Sequence, residues 1–248
     1  MPETRRIAIV GDAGHYVGPE LARHLAARGH DLVLGDPDEA LVGELEAGGT
    51  QVEVVERVRN LTRPESAPTL VAAALARFGR IDSAVAFSGQ IVTGRFTNST
   101  IEDLRSVVSG CLEGPYHFLK AVVAPMIEQG DGQILLVTSA AGARPTPGAP
   151  LYSAARAGAT MLARNVAAEV ARNGVQVNAV GTNFMDFPEF LAASGAADDP
   201  EVRAKIEAQV PLGRLGTMQE FAAFCMPFID GSSRFTTGQF IAYAGGWA

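Results

Sequence analysis

Residues 7–36, "IAIVGDAGHYVGPELARHLAARGHDLVLGD", determine how the rest of the chain is interpreted. The apolar run 7–10 leads through a short turn, 11–17, into a stretch with apolar residues at helical spacing, and a second apolar run, 31–35, follows. This order predicts a strand, a helix and a second strand parallel to the first. The turn is unusual, because the bulky Tyr16 stands among small residues.

The alternation of strand and helix patterns continues to the end of the chain. Helices are predicted over 17–29, 37–48, 64–78, 100–128, 149–173 and 217–230. Parallel strands need crossovers long enough to hold a helix, and right-handed crossovers place helices on both faces of the sheet. We therefore predict an α/β fold with a doubly wound parallel sheet of seven strands. Residues 1–248 are expected to form one domain, and the irregular segment 181–216 is expected to be a substrate loop.

Composition limits the possible partners of this protein. The 248 residues are 47% hydrophobic and carry a net charge of -7, with no run of Lys or Arg. An acidic chain of this kind is not expected to bind nucleic acid or an anionic membrane. No apolar run approaches the roughly 20 residues of a membrane span, and no signal peptide is recognised. We expect a cytoplasmic protein with small-molecule partners and, because Cys111 and Cys225 lack metal-ligand spacing, no metal.

Three residues near the fifth predicted strand carry the chemistry. Ser139 ends the strand, Tyr152 follows thirteen residues later, and Arg156 lies four residues beyond on the same helical face. Each alone is an ordinary structural residue, but together they lie where such sheets bind ligands. A guanidinium beside a phenol stabilises the phenolate and so lowers its pKa from about 10. We predict that Tyr152 is an acid or base, that Ser139 holds the substrate oxygen, and that Arg156 supports Tyr152.

The triplet resembles the short-chain dehydrogenase/reductase superfamily, in which Ser is followed thirteen residues later by Tyr in the pattern Tyr-x-x-x-Lys. Arg156 replaces the lysine here. The resemblance covers the whole chain and implies a Rossmann-like fold. Members that use NAD(P) carry T-G-x-x-x-G-x-G in the first turn, whereas this chain has Gly11, Asp12 and Tyr16 at the Thr and the first two Gly positions. The resemblance therefore implies that the cofactor has been lost, although Asp36 occupies the place of a ribose-binding acid.

A serine, tyrosine and arginine with an aromatic residue in the turn resemble the halohydrin dehalogenases, in particular their G-type branch. This resemblance implies a halide or nucleophile pocket and a substrate pocket, and no cofactor. By position, the halide pocket would comprise Tyr16, Asn183, Phe184 and Met185, and the substrate pocket Phe87, Phe187 and Phe190.

The resemblance implies a lyase that converts vicinal halohydrins into epoxides and halide and, in reverse, opens epoxides with anionic nucleophiles. Two alternatives remain at this point. One is an NAD(P)-dependent short-chain alcohol dehydrogenase, which Asp36 favours, and the other is an inactive binding protein of the same fold. The apolar composition of 100–128 and 149–173 also predicts a homo-oligomer, expected to be a homotetramer.

Overall fold

The computed structural model describes residues 5–87 and 89–248. Its centre is a seven-stranded sheet with the strand order β3-β2-β1-β4-β5-β6-β7, in which every neighbouring pair is parallel. The strands are β1 (Arg6–Val10), β2 (His30–Gly35), β3 (Val52–Val55), β4 (Ser83–Phe87), β5 (Gly132–Ser139), β6 (Val175–Thr182) and β7 (Phe240–Tyr243). The predicted doubly wound, Rossmann-like α/β fold is confirmed.

Helices cover both faces of this sheet. They are α1 (Gly18–Ala26), α2 (Glu39–Ala47), α3 (Ser66–Phe78), α4 (Ile101–Val108), α5 (Gly114–Gln129), α6 (Pro150–Val170), α7 (Pro188–Ser194), α8 (Pro200–Glu207) and α9 (Met218–Cys225). One apolar core joins the sheet to α3, α5 and α6 through residues such as Leu70, Phe118 and Ala163. A second core lies under α1 and α9, with Leu21 and Phe221 fully buried. Within the described residues, no helix is long and apolar enough to cross a membrane.

Two predicted segments differ from the structure. The predicted helix 100–128 is interrupted by a π-helical turn, Ser109–Glu113, which lies between α4 and α5. The segment 181–216 contains the short helices α7 and α8, each of which begins with a proline. A proline in the first helical turn is a start signal, but α8 buries none of its residues and therefore lacks the apolar periodicity that marks a helix in sequence.

The fold brings the predicted site residues to the carboxyl ends of the central strands. β1 pairs with β2 on one side and with β4 on the other, so the chain reverses its direction of winding at this point. A crevice opens beyond the carboxyl ends of strands at such a switch point. The turn after β1 and the loops after β4, β5 and β6 meet at this crevice.

Candidate functional site

Ser139 occupies the last position of β5 and is buried. Its Oγ donates to the Thr182 carbonyl oxygen at 3.3 Å and accepts from the Ala141 N–H at 3.2 Å. Gly181 makes this approach of β6 possible, because a Cβ there would lie 2.6 Å from the Ser139 carbonyl carbon. The serine is therefore fixed between the ends of two central strands.

Tyr152 and Arg156 lie one turn apart on α6, and both are buried. The guanidinium carbon of Arg156 lies 5.1 Å from the centroid of the Tyr152 ring. Ser153 Oγ donates to the Ala141 carbonyl, which ties the start of α6 to the segment that follows Ser139. This contact places the start of α6 beside the segment that directly follows Ser139.

Arg156 is a buried cation with incomplete hydrogen bonding. Only 5% of the residue is exposed, and its Nη2 donates to the Gly89 carbonyl at 3.3 Å. Its Nε and Nη1 have no hydrogen-bond partner among the described residues. Burial raises the pKa of the neighbouring Cys111 thiol, against the opposing charge of Arg156, so the thiol stays neutral. The Tyr152 ring lies beside this buried charge.

Tyr16 points into the crevice. Its backbone φ of 52° is in the left-handed region, and its phenol O–H donates to Thr182 Oγ1 at 2.9 Å. The ring packs edge-on against Phe187, with 4.8 Å between centroids, and against Phe87, with 5.6 Å. Burial raises the pKa of the Tyr16 phenol, which therefore stays protonated.

The segment after β6 forms a separate small cavity. Asn183, Phe184 and Met185 line a space of about 110 Å³ together with Leu212 and Tyr243. The Phe184 N–H donates to Asn183 Oδ1 at 3.0 Å, so this N–H is already occupied. Met185 is buried and pairs with Gly216 in a parallel bridge. Tyr16 does not line this cavity, so the structure does not bring the four residues of the predicted halide pocket into one lining.

Thr182 and Arg144 were not predicted from the sequence as site residues. Thr182 ends β6 and contacts both Tyr16 and Ser139 through its side chain and carbonyl. Its position at the carboxyl end of a central strand was the available signal. Arg144, after β5, contacts Trp247 near the C-terminus, and no local pattern predicts a contact between residues so distant in sequence.

Known proteins similar to this chain are reductases and oxidoreductases. The family model described as enoyl-(acyl carrier protein) reductase matches residues 14–248. The 3-oxoacyl-[acyl-carrier-protein] reductase of Synechocystis is 31% identical over 252 residues, which cover 98% of this chain and 97% of the relative. The enzyme of that name from Escherichia coli is 30% identical and covers 97% and 96% of the two chains. The crystal structure of acetoin dehydrogenase from Enterobacter cloacae superposes with a TM-score of 0.84 at 26% identity, over 98% of this chain and 96% of that one.

These relatives correct the expected activity. The prediction of a cofactor-independent halohydrin dehalogenase, a lyase, is wrong, because the family model and the whole-chain relatives are reductases and oxidoreductases. That prediction rested on Ser139, Tyr152 and Arg156 together with positions in the first turn and in the segment after β6, whereas the similarity to the reductases extends over nearly the whole chain. The alternative of a dehydrogenase is the better supported one. With a matching family model, near-complete coverage and the Ser139, Tyr152 and Arg156 arrangement, the chain belongs to the short-chain dehydrogenase/reductase superfamily.

Proposed function

We propose that this protein is an oxidoreductase that interconverts an alcohol and a carbonyl compound. The observation that carries the proposal is the buried group of Ser139, Tyr152 and Arg156 at the carboxyl ends of the central strands. The relatives support the reaction class, since they are named as 3-oxoacyl-[acyl-carrier-protein] reductases and acetoin dehydrogenase.

The proposed role of the three side chains is proton transfer at the substrate oxygen. During reduction, the Tyr152 O–H gives its proton to the oxygen of the carbonyl group, and during oxidation the phenolate takes the proton from the alcohol. The Ser139 hydroxyl turns from the Thr182 carbonyl to donate to the same oxygen. Arg156 remains protonated throughout, so its charge stabilises the phenolate and it does not relay the proton itself.

A nicotinamide dinucleotide would supply the hydride in oxidoreductions of this kind, and the Tyr16 ring would have to leave the crevice before one could bind. The Tyr16 ring crosses the crevice between Phe87 and Thr182, where a dinucleotide binds in doubly wound sheets. The Asp36 carboxylate accepts from the backbone N–H groups of residues 57, 58 and 59 at 2.6–2.9 Å, so it holds the segment that follows β3.

An ion pair lies at the same turn. Asp12 is buried beside the turn and pairs with Arg59, whose Nε lies 3.2 Å from Asp12 Oδ2. The side chain of Arg59 also lies against Gly14, so a cation stands beside the turn that would receive a pyrophosphate. The role proposed here for Ser139, Tyr152 and Arg156 is confined to the proton on the substrate oxygen.

The proposal is tested by product formation. Purified protein is incubated with acetoin, an aromatic ketone or a 3-oxoacyl thioester in the presence of NADH or NADPH, and the alcohol product is measured by mass spectrometry. We expect an alcohol from at least one compound, and we expect Ser139→Ala to lower its rate by about a hundredfold. Ser232→Ala, in a turn away from the site, is the matched control. Absence of an alcohol in every combination contradicts the proposal.

A further inference from the structure

The last five residues, 244–248, form a tail that lies against the segment 210–212. The Leu212 N–H donates to the Gly245 carbonyl at 3.1 Å. Gly245 and Gly246 have φ values of 59° and 90°, which only glycine adopts without strain. A Cβ on Gly245 would also lie 2.5 Å from Val210 Cγ1. The tail therefore follows one defined path along this segment.

Trp247 joins this tail to two loops of the site. The Arg144 guanidinium, in the loop after β5, lies over the Trp247 ring with its carbon 4.7 Å from the centroid, and it also donates to the Trp247 carbonyl. The same ring packs edge-on against Phe184, after β6, with 5.6 Å between centroids. Trp247 thus holds the loop that follows Ser139 against the loop that follows Thr182.

A continuous line of aromatic rings leads from Trp247 to the crevice. Phe184 contacts Phe190 at 6.4 Å, Phe190 stacks on Phe187 at 6.1 Å, and Phe187 contacts Tyr16 at 4.8 Å, measured between centroids. Each ring of this line is only half-buried. The line forms an aromatic wall that ends at Tyr16, whose hydroxyl bonds Thr182 beside Ser139, and its outer end is fixed by the contact between Arg144 and Trp247.

We propose that Trp247 is a specificity-determining residue and that the tail 244–248 is a strap that closes the outer end of the substrate crevice. An aromatic wall fits an apolar carbonyl compound, and a strap across its end favours small compounds over bulky ones. The substrate part of this inference rests on the proposed oxidoreductase function. The strap itself does not, because its contacts exist whatever the reaction is.

Trp247 is the single tryptophan of the chain, so tryptophan fluorescence reports on the strap without any substrate. We expect Arg144→Ala to shift the emission to longer wavelength and to increase quenching by acrylamide, since the ring loses its cover. Arg172→Ala, an exposed arginine beyond the end of α6, is the matched control and should leave both unchanged. Equal spectra and equal quenching in wild-type protein and Arg144→Ala would overturn the strap.

The specificity is tested by comparing two ketones. In Trp247→Ala, we expect the KM for benzophenone to fall about tenfold, while the KM for acetone stays as in the wild type. Arg144→Ala, which keeps every ring, should show the same trend and covers the case that Trp247→Ala does not fold. A parallel change for both ketones contradicts the specificity role. If wild-type protein reduces neither ketone, the proposed function fails for these compounds and the fluorescence comparison alone decides on the strap.

Discussion

Tyr16 has a left-handed backbone that is unfavourable for a residue with a side chain, and its ring lies across the crevice. A left-handed backbone costs a residue with a side chain about 1–2 kcal/mol relative to glycine. The ring contacts with Phe87 and Phe187 and the hydrogen bond to Thr182 offset this cost. The side chain is thus held across the crevice by packing and not by backbone preference.

This arrangement leads to a binding prediction. Tyr16→Gly relieves the backbone and removes the ring from the crevice, so we expect it to bind NADH about tenfold more tightly than the wild type, which corresponds to about 1.4 kcal/mol. Tyr16→Phe keeps the ring and loses only the hydroxyl, and it should bind no better than the wild type. Isothermal titration calorimetry measures all three affinities. An unchanged affinity in Tyr16→Gly would show that the ring does not obstruct the crevice.

Arg156 is predicted to lower the free energy of unfolding, although the proposed activity requires it. Its guanidinium is buried, and two of its nitrogens have no partner among the described residues. Replacement of such a charge by an apolar side chain of similar length, as in Arg156→Met, is expected to raise the free energy of unfolding by about 1–3 kcal/mol and to abolish activity. Urea denaturation measures the first effect. Arg164→Met, on the exposed face of the same helix, is the control, and a lower stability of Arg156→Met than of this control would refute the account.

At the residue level, Ser139, Tyr152 and Arg156 could be predicted because they are close in sequence. Tyr152 and Arg156 lie one helical turn apart, and Ser139 ends the strand that precedes their helix. The sequence did not predict the hydrogen bonds of Tyr16 and Ser139 with Thr182, since these join loops that are close only after the sheet has formed. The reaction class was predicted wrongly because substitutions in one turn were given more weight than the similarity of the whole chain.

At the level of elements, strands and long helices were predictable because their buried faces impose a period on the sequence. The π-helical turn 109–113 was not, since it continues a helical pattern without a break in hydrophobicity. The helices α7 and α8 lie at the surface and start at prolines, so their signal is in the capping residues. Asp199, for example, caps α8 by accepting from the Glu201 and Val202 N–H groups.

His30, the first residue of β2, is predicted to make the free energy of unfolding depend on pH. His30 is fully buried, its Nδ1 lies 3.2 Å from the Leu25 carbonyl, and burial lowers its pKa. The unfolded chain therefore binds a proton more readily than the folded protein below about pH 6.5, and stability falls as the pH decreases through that value. We expect His30→Gln to reduce this loss in urea denaturation at pH 7 and pH 5. His117→Gln should keep the wild-type dependence, and an equal loss in all three proteins would contradict this role of His30.

At the level of the whole molecule, the distribution of exposed apolar side chains predicts assembly. Ile101 and Leu104 on α4 and Met161 on α6 are each at least 37% exposed. Apolar patches on neighbouring helices are typical of subunit interfaces, so we predict a homo-oligomer, expected to be a tetramer. Sedimentation equilibrium tests this. Met161→Asp should yield smaller species, Leu75→Asp on α3 should not, and a monomeric wild-type protein would contradict the prediction.

The central claim is that Tyr152 exchanges a proton with the oxygen of a carbonyl compound during its reduction. The most direct measurement is the rate of alcohol formation by wild-type protein, Tyr152→Phe and Tyr116→Phe, under the conditions in which the wild type forms product. Tyr116 lies on the exposed face of α5, so its replacement controls for the loss of a tyrosine hydroxyl. We expect Tyr152→Phe to lower the rate by about a hundredfold or more and Tyr116→Phe to leave it unchanged. A Tyr152→Phe protein that is folded and forms alcohol at the wild-type rate would contradict the account.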